Sequence, residues 1–174
     1  MKRLAVILVS ATAALAFTAV AFSARTAVPN NLPDAKVDVA IWADTVYAAN
    51  SATGYTPYKA GAVDNFFPQG AGITFRMWAI ETGTGKVITS ADVKHASDVY
   101  AVIPNAPNVR LKYGPVSAAA NAPSIWSGTW AVTKDYAVGI VKFKILVRTK
   151  SNKLGVFTQI AVATSQLTIT KPVA

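Results

Sequence analysis

The sequence predicts an all-β protein, a β-sandwich of about seven to nine short strands. Three observations lead there. Several segments alternate apolar and polar residues with a period of two, most clearly Trp126 to Val147, WSGTWAVTKDYAVGIVKFKILV. Turn residues recur between these segments. Beyond the first two dozen residues, no stretch carries a long helical period.

The chain opens MKRLAVILVSATAALAFTAVAFSA. Lys2 and Arg3 precede an uncharged run, Leu4 to Phe22, and Ala19, Ala21 and Ser23 supply small-x-small cleavage positions. Residues 1–24 therefore read as a secretory signal or an uncleaved membrane-anchor helix; residues 4–22 approach the roughly 20 needed to span a bilayer. Either way the remainder is expected outside, in the periplasm or at the cell surface. Residues 25–35, with Pro29 and Pro33, read as a leader or linker. Residues 36–174 are long enough for one ordinary domain with its own core.

The strands follow in order. Lys36 to Trp42 sets Val37, Val39 and Ile41 on one face. Gly72 to Ile80 sets Ile73, Phe75, Met77 and Ala79 against Thr74, Arg76, Trp78 and Ile80. A turn at Glu81 to Gly85 leads to Lys86 to Thr89, a hairpin return. Asp98 to Ile103 and Val109 to Tyr113 are split by Pro104 and Pro107, which bar a continuous central strand. Gly114 to Ser124 is a loop. Ser127 to Val132 and Gly139 to Thr149 flank the turn TKDYAVG. In the second, Val141, Phe143, Ile145 and Val147 point one way and Lys142, Lys144, Leu146 and Arg148 the other. KSNKLG makes a polar hairpin turn, and Val156 to Thr170 supplies the last strand or pair.

WSGTW, DY-x-x-G, the alternating KFKILV and a closing QLTIT together resemble the second half of bacterial immunoglobulin-like domains, themselves similar to fibronectin-type modules. The resemblance covers Trp126 to Thr170 most closely. It implies an immunoglobulin-like sandwich and a role as spacer, adhesion piece or accessory part of an extracellular assembly. It implies that Tyr136 is a corner tyrosine tying the turn to nearby backbone, and that Gly139 lets the chain re-enter the sheet. The segment Asp44 to Gly70 departs from that pattern by its length.

That segment holds Tyr47, Tyr55, Tyr58, Phe66 and Phe67 among glycines, prolines and asparagines. So long a connection without regular structure is often functional. Displayed tyrosines bring contact area at low entropic cost, so Tyr47, Tyr55 and Tyr58 are candidates for a partner or glycan. Phe66 and Phe67 read as a plug at one end of the core. On the outward set of the strands, Trp42, Trp78 and Ile80 do not suit water and mark a candidate interface.

The full chain carries 17 basic and 8 acidic residues. Without Lys2 and Arg3 the balance is fifteen against eight, or +7. Lys142, Lys144, Arg148, Lys150 and Lys153 gather on one outward strand and its turn. They read either as a solvated edge strand, whose lysines discourage edge-to-edge pairing, or as an attraction for anionic lipid, cell-wall polymer or an acidic partner. Export and the lack of a recognition helix or paired aromatic motif argue against nucleic acid.

The chain has no cysteine and one histidine, His95. Zinc, copper and thiolate chemistry have no ligand set, and no metal or cofactor is expected. Asp92 and Asp98 lack the pattern of a calcium loop. Asp135 reads as a cap of the turn beside Tyr136. Asp44 and Asp64, in the aromatic segment, come closest to a facing carboxylate pair, but nothing fixes their gap. The expected function is therefore non-enzymatic: an accessory or structural subunit of an exported assembly, working through protein–protein contacts or self-association. A carbohydrate or cell-wall binding module built on Tyr55 and Tyr58 is the alternative.

Overall fold

Alternating side chains and β-branched residues put about half of the described chain into strands, as the computed structural model places residues 38–48, 61–95, 98–159 and 166–172. All of these belong to one unit, Asp34–Ala174. The strands are Val39–Tyr47 (β1), Phe66–Pro68 (β2), Gly72–Glu81 (β3), Val99–Val102 (β4), Val109–Arg110 (β5), Lys112–Pro115 (β6), Ser124–Ala131 (β7), Gly139–Ile140 (β8), Lys144–Arg148 (β9), Leu154–Thr158 (β10) and Thr168–Thr170 (β11). That is eleven among the described residues, more than the seven to nine expected, because several are two or three residues long. The fold is all-β, as the alternation requires.

Two four-stranded antiparallel sheets run β1-β3-β7-β6 and β10-β9-β4-β5. A third, small sheet runs β2-β11-β8, with β2 parallel to β11. The inward residues of both large sheets join one hydrophobic cluster: Phe75, Met77 and Trp126 from one, Val99, Ile145 and Val147 from the other. The rings of Phe75 and Phe143 meet there, with centroids 4.8 Å apart. Each fully buried side chain of this kind contributes roughly 1.5–3 kcal/mol of transfer free energy.

Glycines set how closely the large sheets meet at their edges. A methyl group added at Gly128 in β7 would stand 2.5 Å from the Arg110 carbonyl oxygen of β5. One added at Gly155 in β10 would stand 2.9 Å from Val39 Cβ of β1. On the first of these sides the chain itself passes between sheets, through fully buried Leu111, which separates β5 from β6.

Five expectations about elements need correction, the first being Val109 to Tyr113, which divides into β5 and β6 in different sheets. Gly139 to Thr149 is not one strand. Its start, β8, pairs with β11, and its end, β9, lies between β10 and β4. The alternation persists through the irregular residues 141–143, with Val141 and Phe143 buried. Lys86 to Thr89 forms only a bridge, Ile80 to Val87. Thr89 instead caps a 3-10 turn, Ser90–Asp92, in a capping box with Asp92, which takes the chain away from the sheet. The 114–124 loop is shorter than expected, since β6 reaches Pro115 and β7 starts at Ser124. Finally, β1 continues five residues past Trp42. The polar hairpin turn between β9 and β10 forms as expected. Thr149 N–H donates to Lys153 C=O at 2.9 Å, and Asn152 takes the left-handed backbone (φ 59) of a three-residue hairpin loop.

The capping box has a pH consequence. Asp92 accepts from Lys86, from Thr89 N–H at 2.9 Å and from the Thr89 hydroxyl at 2.9 Å. The Lys86 contact first, and the Thr89 N–H next, lower its pKa from the ordinary 3.8 to about 2. A depressed folded-state pKa gives stability that is present above the unfolded pKa and lost as pH falls through the folded one. The stability gap between the native chain and Asp92→Asn should therefore shrink as pH falls from about 4 to about 2. Denaturant titration at each pH measures it; a constant gap would remove Asp92 from the acid response.

Candidate functional site

The outer face of β1 and β3 carries the candidate contact residues. Their antiparallel register sets Trp42 opposite Trp78, Ala40 opposite Ile80 and Asp44 opposite Arg76. Odd-numbered residues of both strands turn into the core, so the even-numbered ones share the outer face. Trp42 is 56% exposed and Trp78 39%. Ile80 is half-buried beside them. Sequence alternation is what puts two indoles side by side, because TFRMWAI reverses against VAIWADT about that pair.

A charged pair borders the indoles. Arg76 Nε–H donates to Asp44 Oδ1 at 2.8 Å and its Nη2–H to Oδ2 at 2.6 Å. This two-pronged contact raises the Arg76 pKa above its ordinary value despite partial burial. Beyond it, the hydroxyls of Thr74 and Thr129 share a hydrogen bond at 2.8 Å. The outer face thus passes from apolar at Trp42, Trp78 and Ile80 to polar within two residues along each strand.

Tyr47 does not belong to a displayed loop. Because β1 runs on to Tyr47, this residue inherits the inward parity of Val39 and Ile41 and is 6% exposed. Its hydroxyl donates to Phe66 C=O at 2.9 Å and its ring lies 4.6 Å from that of Phe67. The plug expected from Phe66 and Phe67 is half right: Phe67 is fully buried against β11, whereas Phe66 is 53% exposed. Tyr55 and Tyr58 lie outside the described residues, as do the signal or anchor segment and Val37.

The basic group also changes. Lys142, Lys144, Arg148 and Lys150 are exposed. Lys153 is instead paired with Glu81, so it leaves the free cations. The edge-strand explanation fails as well, because β9 is interior to its sheet and β10 and β5 are the edges.

Tyr136 ties its turn to backbone, though not locally. Its hydroxyl donates to Pro104 C=O at 2.6 Å, 32 residues upstream, and its ring meets Trp130 edge-on at 4.8 Å. Partial burial raises its pKa. Gly139 takes φ 131 at the entry to β8, where a side chain would be strained. Asp135 has its pKa lowered, chiefly by the Thr133 hydroxyl, in the same turn.

The remaining polar candidates serve local structure. Asp44 is held by Arg76. Asp64 accepts from Asn65 N–H at 2.7 Å and Phe66 N–H at 2.9 Å, on the way into β2. Asp98 accepts from His95 N–H at 2.8 Å and returns its own N–H to His95 C=O. Among the described residues, no group of three or more His, Asp or Glu is placed to hold a metal ion.

Sequence reasoning missed a cleft of about 470 Å³ between the β4–β5 connection and the end of β7. Asn105, Asn108, Arg110, Thr133, Trp130 and Tyr136 help line it. Pro104 and Pro107 mark breaks in a strand, and the asparagines beside them, Asn105 and Asn108, are the signal of a built turn. No protein-family model, curated protein or solved structure matches the chain.

Proposed function

We propose that residues 36–174 form an immunoglobulin-like sandwich that acts, after export, as a non-enzymatic subunit of a periplasmic or cell-surface assembly. The strand orders support the fold reading. Lettered in chain order, β1, β3, β4, β5, β6, β7, β9 and β10 become A, B, C, C′, D, E, F and G. The two large sheets then run A-B-E-D and G-F-C-C′, with the third sheet of β2, β11 and β8 outside the lettering, and this order supports an immunoglobulin-like reading.

The observation that carries the functional reading is the Trp42–Trp78 pair, set in register and exposed on an outer sheet face. Two neighbouring indoles in water are costly, and tryptophan is the residue type most enriched at the energetic centres of interfaces. The Asp44–Arg76 pair supplies a polar rim that fixes orientation. The partner is another protein subunit or a second copy of this chain.

Trp78→Glu tests this. It should weaken association by about 2 kcal/mol or more. The monomer should keep its fold, because the lost cross-strand pair costs no more than about 1 kcal/mol. Native mass measurement reads the assembly and circular dichroism reads the fold. An unchanged assembly state with intact fold would overturn the assignment.

A further inference from the structure

The cleft beside β5 has the chemistry of a ligand site independent of the tryptophan face. Its volume, about 470 Å³, falls within the range of small-molecule sites, roughly 300–1,000 Å³. One side carries the half-buried ring of Tyr136, braced edge-on by buried Trp130 and anchored through its hydroxyl to Pro104 C=O. Asn105, Asn108 and Arg110 line the facing turn, with Ala106, Pro107 and Val109 between them. Among the described residues, the side chains of Asn105, Asn108 and Arg110 have no hydrogen-bond or ion-pair partner. Among the described residues no carboxylate lines the cleft, and Arg110 is its one charge.

The charge around it has the same sign. Arg110 pairs with Tyr100, and Tyr100 with Leu146, so one outward row leaves the cleft and crosses β4 onto β9. Lys144 and Arg148 flank Leu146 on that face, each two residues away, or roughly 6.6 Å along the strand. Lys142 continues the line, and all three are exposed.

We infer that this cleft binds a carboxylate-bearing saccharide, with Arg110 recognising the carboxylate. The guanidinium presents a planar fork that matches a carboxylate in two-pronged geometry. The two asparagine amides each offer donors and an acceptor, which is the pairing that ring hydroxyls require. The accessible part of the Tyr136 ring receives the C–H face of the sugar ring. Neighbouring acidic units of a longer glycan then run over Lys144, Lys142 and Arg148, which adds attraction that salt screens.

Calorimetric titration of the full chain tests the inference. The probes are oligosaccharides of galacturonate, of glucuronate and of muramic acid, with neutral galactose oligomers and inorganic polyphosphate as comparisons. At least one acidic oligosaccharide should bind tenfold or more tightly than the neutral one. Arg110→Gln should abolish that preference, and Asn108→Ala should weaken binding severalfold. Trp78→Glu should leave binding unchanged, so this result and the assembly result fail separately. Failure of every acidic oligosaccharide to bind would overturn the inference. So would equal binding of the neutral oligomer, equal binding of polyphosphate, or a preference that survives Arg110→Gln.

Discussion

Alanine at Gly128 is expected to destabilise the fold by about 1–3 kcal/mol, the range for forcing extra volume into a packed site. The sign is the informative part. Gly128 lies in β7 without a positive φ. Alanine there should ordinarily stabilise by roughly 0.4–1 kcal/mol through the unfolded chain. Here the new Cβ would meet the Arg110 carbonyl oxygen at 2.5 Å and Val109 Cγ1 at 3.0 Å. A backbone oxygen cannot swing aside, so β5 must move. Gly114→Ala is the control, since nothing lies within 4 Å of its added Cβ in β6. Urea midpoints of the two variants should shift in opposite directions or by clearly different amounts. Equal shifts would mean that the sheets do not approach at this seam.

Phe75→Ala should cost more, about 3–5 kcal/mol. Phe75 is fully buried in the middle of β3 and its ring touches Phe143 from the approach to β9. Truncation therefore opens a cavity between the two sheets rather than at a rim. Against a total stability of roughly 5–15 kcal/mol, such a loss leaves a substantial unfolded population. Phe66→Ala, at a residue 53% exposed in β2, should stay within about 0.5 kcal/mol. Thermal melts of the pair measure the contrast. A small effect at Phe75 would contradict a core shared by the two sheets.

Much of this fold could be read from alternation alone. Phe143, Ile145 and Val147 are buried while Lys142, Lys144 and Arg148 are exposed, as the pattern demands. The side-chain period survives even where the ladder does not, because each side chain responds to its local burial. Which strand pairs with which is a different matter. The break at 141–143, where the chain leaves β11 for β4 and β10, has no mark in composition. Register depends on distant segments, and a single sequence carries no distance.

The site was legible to the same degree. Trp42 and Trp78 stood out because they occupy outward positions where water-compatible residues belong. That they face each other follows only from the β1–β3 register. Tyr47 turns on a boundary: a strand that ends at Trp42 makes it a loop tyrosine, and one that runs to Tyr47 makes it a core tyrosine. Its neighbours Thr45 and Val46, both β-branched, carried the strand signal. The ion pair that removes Lys153 from the basic group joins residues 72 positions apart, Glu81 and Lys153. The cleft gathers a turn at residues 105–110 and the end of β7, which only tertiary folding brings together.

Hydroxyl-radical footprinting of the four tryptophans probes the interior and the outer face together. Inner faces share one dry interior, and the outer face of β1 and β3 is the contact we propose. In the isolated protein, Trp42 and Trp78 should oxidise readily, whereas Trp126 and Trp130, at 2% and 5% exposure, should be protected. In the proposed assembly, Trp42 and Trp78 should become protected too. Oxidation of Trp126 or Trp130 in the folded monomer would contradict the fold, and unchanged oxidation of Trp42 and Trp78 in the assembly would contradict the contact.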